Sequence, residues 1–73
     1  MFTVCALYHF TRFDDPAPLR DPLLDLCRTQ KITGTLLLAH EGINGTVAGP
    51  AAGIEAVLAH ISALPGCAAL EWK

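Results

Sequence analysis

At 73 residues the chain makes one small domain, spanning 1–73, of a size that buries roughly 60% of its unfolded surface on folding. A hydrophobic fraction of 52%, spread along the whole length, excludes a disordered segment, and no apolar run approaches the ~20 residues of a membrane-spanning helix. The formal charge of -2 at pH 7 supplies no basic field, which argues against strong nucleic-acid binding by this piece alone.

Residues 2 to 10 alternate Phe2, Val4, Ala6, Tyr8, Phe10 with Thr3, Cys5, Leu7, His9. Both sets are largely apolar, as expected of a central strand. In the following Thr11-Arg12-Phe13-Asp14-Asp15-Pro16, Asp15 can cap a helix and Pro16 can occupy a first helical position. Leu19, Leu23, Leu26 and Cys27 repeat at helical spacing. Pro22 deep in a helix would cost a hydrogen bond, so the pattern predicts a turn at 16–20 and a main helix from Asp21 as cap to about Gln30.

Thr33-Gly34 is expected to end that stretch, with a strand at 35–40 and its hairpin partner at about 43–48. Gly49-Pro50 opens a second helix whose apolar stripe is Ile54, Val57, Leu58 and Ile61, and Pro65-Gly66 stops it. A short strand from Ala68 to Trp72 follows. The order β-α-β-β-α-β is that of an α+β, ferredoxin-like (acylphosphatase-like) sandwich. Right-handed crossovers then predict a four-stranded antiparallel sheet in the order 4-1-3-2 with both helices on one face.

That topology brings the loop at 10–16 and the turn at 40–45 to one end of the sheet. His9, Arg12, His40, Glu41, Gly42, Asn44 and Gly45 are therefore the candidate contact residues for a ligand or a neighbouring domain. A structural hairpin turn accounts for Gly42, Asn44 and Gly45, because glycine permits positive φ and asparagine tolerates it. It has no need of His40 or Glu41. Arg12 beside a helix start could hold a phosphate, but Asp14 and Asp15 crowd the same place with opposite sign. The other face of the sheet has no helix to cover it, and some of Cys5, Leu7, Leu36 or Leu38 are expected there as an apolar contact patch.

Cys5, Cys27 and Cys67 are odd in number and far apart, which suggests neither a disulfide framework nor a zinc site. Burial is expected for most of them, with Cys67 the one open to solvent. His60 is expected far from the common loop end, so no metal site is predicted, and no cofactor. The N-terminus, Met1-Phe2-Thr3-Val4, lacks the basic region of a signal peptide, so a cytoplasmic location is expected.

The runs Ala6-Leu7-Tyr8-His9-Phe10, Asp15-Pro16, Leu19-Arg20, Gly34-Thr35-Leu36-Leu37-Leu38-Ala39 and, most specifically, Glu41-Gly42-Ile43-Asn44-Gly45-Thr46 carry a resemblance. Together they resemble the N-terminal domain of bacterial rhodanese-domain proteins that act as oxygen-dependent tRNA uridine hydroxylases. The resemblance implies that this piece precedes a C-terminal rhodanese domain in a longer protein. It further implies a parent oxidoreductase that converts the wobble uridine of certain tRNAs to 5-hydroxyuridine. The reactive cysteine of that family lies in the rhodanese domain and matches none of Cys5, Cys27 or Cys67. An accessory role follows, packing on the rhodanese domain and helping to present tRNA. Two other readings stay open: a stand-alone acylphosphatase-like hydrolase with Arg12 as phosphate clamp and Asn44 orienting water, and a structural module that dimerises through the open sheet face.

Overall fold

A computed structural model describes residues 2–64, 66–68 and 70–72, without the side chain of Glu71. Its elements are β1 (Phe2–Phe10), α1 (Ala17–Thr29), β2 (Thr33–Ala39), β3 (Gly42–Pro50), α2 (Ala51–Ser62) and β4 (Glu71–Trp72). The three long strands form one antiparallel sheet with β3 in the middle, so β1 and β2 run parallel to each other. Beyond β1 the two residues of β4 pair Trp72 with Leu7, which makes the order β2-β3-β1-β4. The fourth strand is shorter than expected because the segment before it turns. Cys67 N–H donates to Leu64 O and Leu70 N–H to Cys67 O, both 3.0–3.1 Å, which takes these amides out of any ladder. Pro65, expected to stop the second helix, and Ala69, expected within the last strand, lie outside the described residues.

The alternation of β1 resolves into a covered and an open set. Cys5 and Leu7 are buried, and so are Val47 opposite Cys5 and Ile43 opposite His9. On this face α2 packs on β1 and β3, α1 packs on β2, and the helices touch each other. Ile54, Val57, Leu58 and Ile61 enter the core, as their spacing predicts, and Leu23 is the buried residue of α1. Among the described residues no helix covers the opposite face. It carries Phe2, Val4, Tyr8, Phe10 and Leu37, and the expectation that Cys5, Leu7, Leu36 or Leu38 would stand there is corrected. Apolar residues in both sets of β1 left the phase open, and the helices cover the set opposite Val47 and Ile43.

Helix α1 also departs from expectation. It starts at Ala17 and runs through Pro22 instead of starting at Asp21. Pro22 falls in the second turn and removes a single bond, to the carbonyl of Pro18, an exposed residue. The N-cap is Pro16 and not Asp15, and it makes no side-chain capping bond; Asp15 lies one residue before it, its Oδ1 accepting from Ala17 N–H at 3.3 Å. The helix ends before Thr33-Gly34, at a left-handed Lys31 with φ 58°. Ile32 N–H reaches Cys27 O at 2.8 Å and Lys31 N–H reaches Arg28 O at 3.2 Å, the two bonds of a Schellman cap.

Candidate functional site

The loop after β1 and the turn between β2 and β3 are joined by direct hydrogen bonds. Thr11 N–H donates to Glu41 O and Phe13 N–H to His40 O, each at 3.0 Å. The second contact is reciprocal, because His40 Nδ1 donates back to Phe13 O at 3.1 Å. Phe13 itself is buried, so the loop is anchored in the core at one residue and tied to the turn on both sides of it. A third connection joins the same end. His9 Nε2 donates to Gly66 O at 2.6 Å, which pulls the segment after α2 against the end of β1. A carbonyl only accepts, so each imidazole carries a proton on its bonded nitrogen.

This geometry sorts the candidate residues by what holds them. His9 and His40 are clasps between backbone segments. Gly42 has φ 146°, and a Cβ there would collide with the carbonyl oxygen of His9, so the position is closed to side chains. Gly45 at φ 154° is closed in the same way by Thr35 O. Two residues, His40 and Glu41, separate the strands, so β2 ends at Ala39 and not at His40, and Asn44 and Gly45 belong to β3 as the expected strand bounds had it. Arg12, Glu41 and Asn44 have exposed side chains. Asn44 stands on the open face, between Leu37 of β2 and Tyr8 of β1. There a groove of about 530 Å³ runs from Tyr8, Phe10 and Leu37 past Gly42 to Glu41.

Phosphate chemistry is poorly served here. The amides of Thr11 and Phe13, which a phosphate cradle would use, are taken by the turn carbonyls, and the first amide of α1 is taken by Asp15. Nor is there an activated thiol. Cys5 and Cys67 are buried, which corrects the expected exposure of Cys67, and burial pushes the Cys67 and Cys27 thiols up from 9.0. The segment after α2 returns to His9, so the last turn of α2, with His60, lies toward the common end and not remote from it. Even so, among the described residues no three His, Cys, Asp or Glu side chains group as metal ligands. Arg12, Glu41 and Asn44 are exposed polar members of the candidate set at this end. Sequence reasoning missed Phe13, whose signal was a lone apolar side chain inside the polar run Thr11 to Asp15.

Comparison with known proteins supplies the family. Residues 2–73 match the model of the UPF0176 acylphosphatase like domain. The chain belongs to that family. Its relatives include a "tRNA uridine(34) hydroxylase" of Ruegeria pomeroyi, 73% identical over 73 residues, covering 100% of this chain and 24% of the relative. The protein of the same name in Roseobacter denitrificans is 66% identical over 73 residues, covering 100% of this chain and 25% of the relative. That of Agrobacterium fabrum is 56% identical over 72 residues, covering 99% and 23%. The chain thus spans about a quarter of the length of the curated relatives it matches. In this family the matched region carries an α+β domain, and among the described residues no helix is long and apolar enough to cross a membrane.

Proposed function

We propose that the chain is the N-terminal accessory module of a cytoplasmic tRNA-modifying enzyme that hydroxylates the wobble uridine, working beside a C-terminal rhodanese domain that supplies the reactive cysteine. The observation that carries this reading is the full-length match to relatives named tRNA uridine(34) hydroxylase, of which the chain makes up about a quarter. The site geometry supports an accessory role, since Cys5 and Cys67 are buried and the loop amides of Thr11 and Phe13 are internally bonded. In this reading the sheet is the complete ferredoxin-like one in the order 4-1-3-2. The rim of Arg12, Glu41 and Asn44 faces the catalytic domain or its tRNA.

The test uses the complete polypeptide that carries this chain, with Arg12→Ala, Glu41→Ala and Asn44→Ala made singly and 5-hydroxyuridine measured by mass spectrometry of tRNA nucleosides. Exposed substitutions of this kind shift stability by no more than about 0.5 kcal/mol. Modification is expected to fall at least about tenfold in one or more variants at unchanged unfolding temperature, the equivalent of about 1.4 kcal/mol. Wild-type modification in all three would overturn the role given to the rim.

A further inference from the structure

The open face of the sheet is built unlike a water-facing surface. Antiparallel sheets with one solvated face normally alternate apolar residues inward with polar ones outward. Here β1, β2 and β3 contain no Asp, Glu, Lys or Arg at any position. The uncovered set includes Phe10 at 86% exposure, Phe2 at 78%, Val4 at 66% and Leu37 at 58%. Register places Phe2, Val4, Tyr8 and Phe10 along one line of β1, with Leu37 across β3 from Tyr8, so the exposed apolar groups share one surface.

We infer that this face is an intramolecular docking surface, covered by an apolar surface of the same polypeptide outside the 73 residues. The inference rests on the reading of the chain as a module of a longer protein. Two observations choose the occupant. A nucleic acid needs cations to neutralise its phosphates, and neither the three long strands nor the formal charge of -2 supplies them. The chain also covers only 24% and 25% of two relatives, so most of each polypeptide lies outside the matched region. A covalently linked partner is present at an effective concentration of about millimolar, far above that of a free second copy in a cell. The rim at Arg12 and Glu41 then lies beside the seat, continuous with it through the groove at Phe10 and Gly42.

Hydroxyl-radical footprinting of the complete polypeptide, read by mass spectrometry, tests the proposal. Phe2, Phe10 and Leu37 are expected to label at least about tenfold more slowly in the native protein than in the urea-unfolded one. Leu24, exposed on the helix side, is expected to keep labelling. Phe10→Asp leaves its own domain folded but places an unpaired charge in the seat, and should raise the undocked fraction at least about a hundredfold. Faster proteolysis between the two parts would report that rise. Native labelling as fast as unfolded would overturn the inference. Protection lost on dilution would overturn it in favour of a second copy, and protection gained only with added tRNA would overturn it in favour of RNA. The nucleoside assay on the unsubstituted protein separates the two readings: wild-type hydroxylation with a freely labelled face sinks the docking surface alone, whereas absent hydroxylation with a protected face sinks the enzymatic reading alone.

Discussion

Gly42→Ala tests whether the Glu-Gly-Ile-Asn-Gly run is there for the fold. At φ 146° an L side chain occupies a region that costs about 1–3 kcal/mol. The new methyl would also collide with the carbonyl oxygen of His9, which is backbone in the neighbouring strand and cannot rotate away. Separating the strands enough to admit it adds about 1–3 kcal/mol of overpacking. A domain of 73 residues has a total stability of about 4–11 kcal/mol. The substitution should therefore remove a large part of it and lower the melting temperature by about 10 °C or more. Urea unfolding followed by circular dichroism measures the loss directly. A Gly42→Ala chain within about 0.5 kcal/mol of the parent would refute the reasoning, since neither strain nor collision could then be real.

Three further outcomes follow from the local geometry. Lys31→Gly should stabilise the chain by about 1 kcal/mol in thermal melts, because the Schellman cap holds a left-handed residue at φ 58° where glycine has no Cβ penalty. His40→Ala removes the bond to Phe13 O and should cost about 1 kcal/mol in urea unfolding, against about 3–5 kcal/mol for Phe13→Ala, which empties the core beneath the loop. Stability should fall as pH rises past 9.0, because the unfolded thiols of Cys27 and Cys67 then lose protons that the folded state retains. Unfolding compared at about pH 8 and about pH 10 should show the decline, reduced when Cys27 and Cys67 are both replaced by alanine.

How legible these features were depended on the kind of partner involved. The α2 stripe could be read directly, because periodicity announces it. The phase of β1 could not. With apolar groups on both faces, period-two alternation says that there are two sets without saying which one the helices take. Pro22 misled because its penalty was charged as if deep in a helix, whereas in the second turn it forfeits one bond, to the carbonyl of the exposed Pro18. At the candidate site, topology alone joined the two connections. The duties of His9 and His40 were hidden because their partners, Gly66 O and Phe13 O, are backbone carbonyls that every residue type offers.

The most specific motif of the chain therefore divides by physical duty. Gly42 and Gly45 are required by neighbouring backbone, and Ile43 is required by the core. Glu41 serves the fold through its carbonyl oxygen, which accepts from Thr11, and any residue would provide that atom. Asn44 stands exposed on the open face, where its strand position asks only for a residue that tolerates extended backbone. The turn and the sheet thus explain the backbone of both residues and leave the carboxylate and the carboxamide unaccounted for. If these groups act, they act on something outside the domain. Asn44 stands within the seat proposed for the rest of the polypeptide and Glu41 at its end, so a contact there should respond to side-chain chemistry while leaving the stability of the domain unchanged.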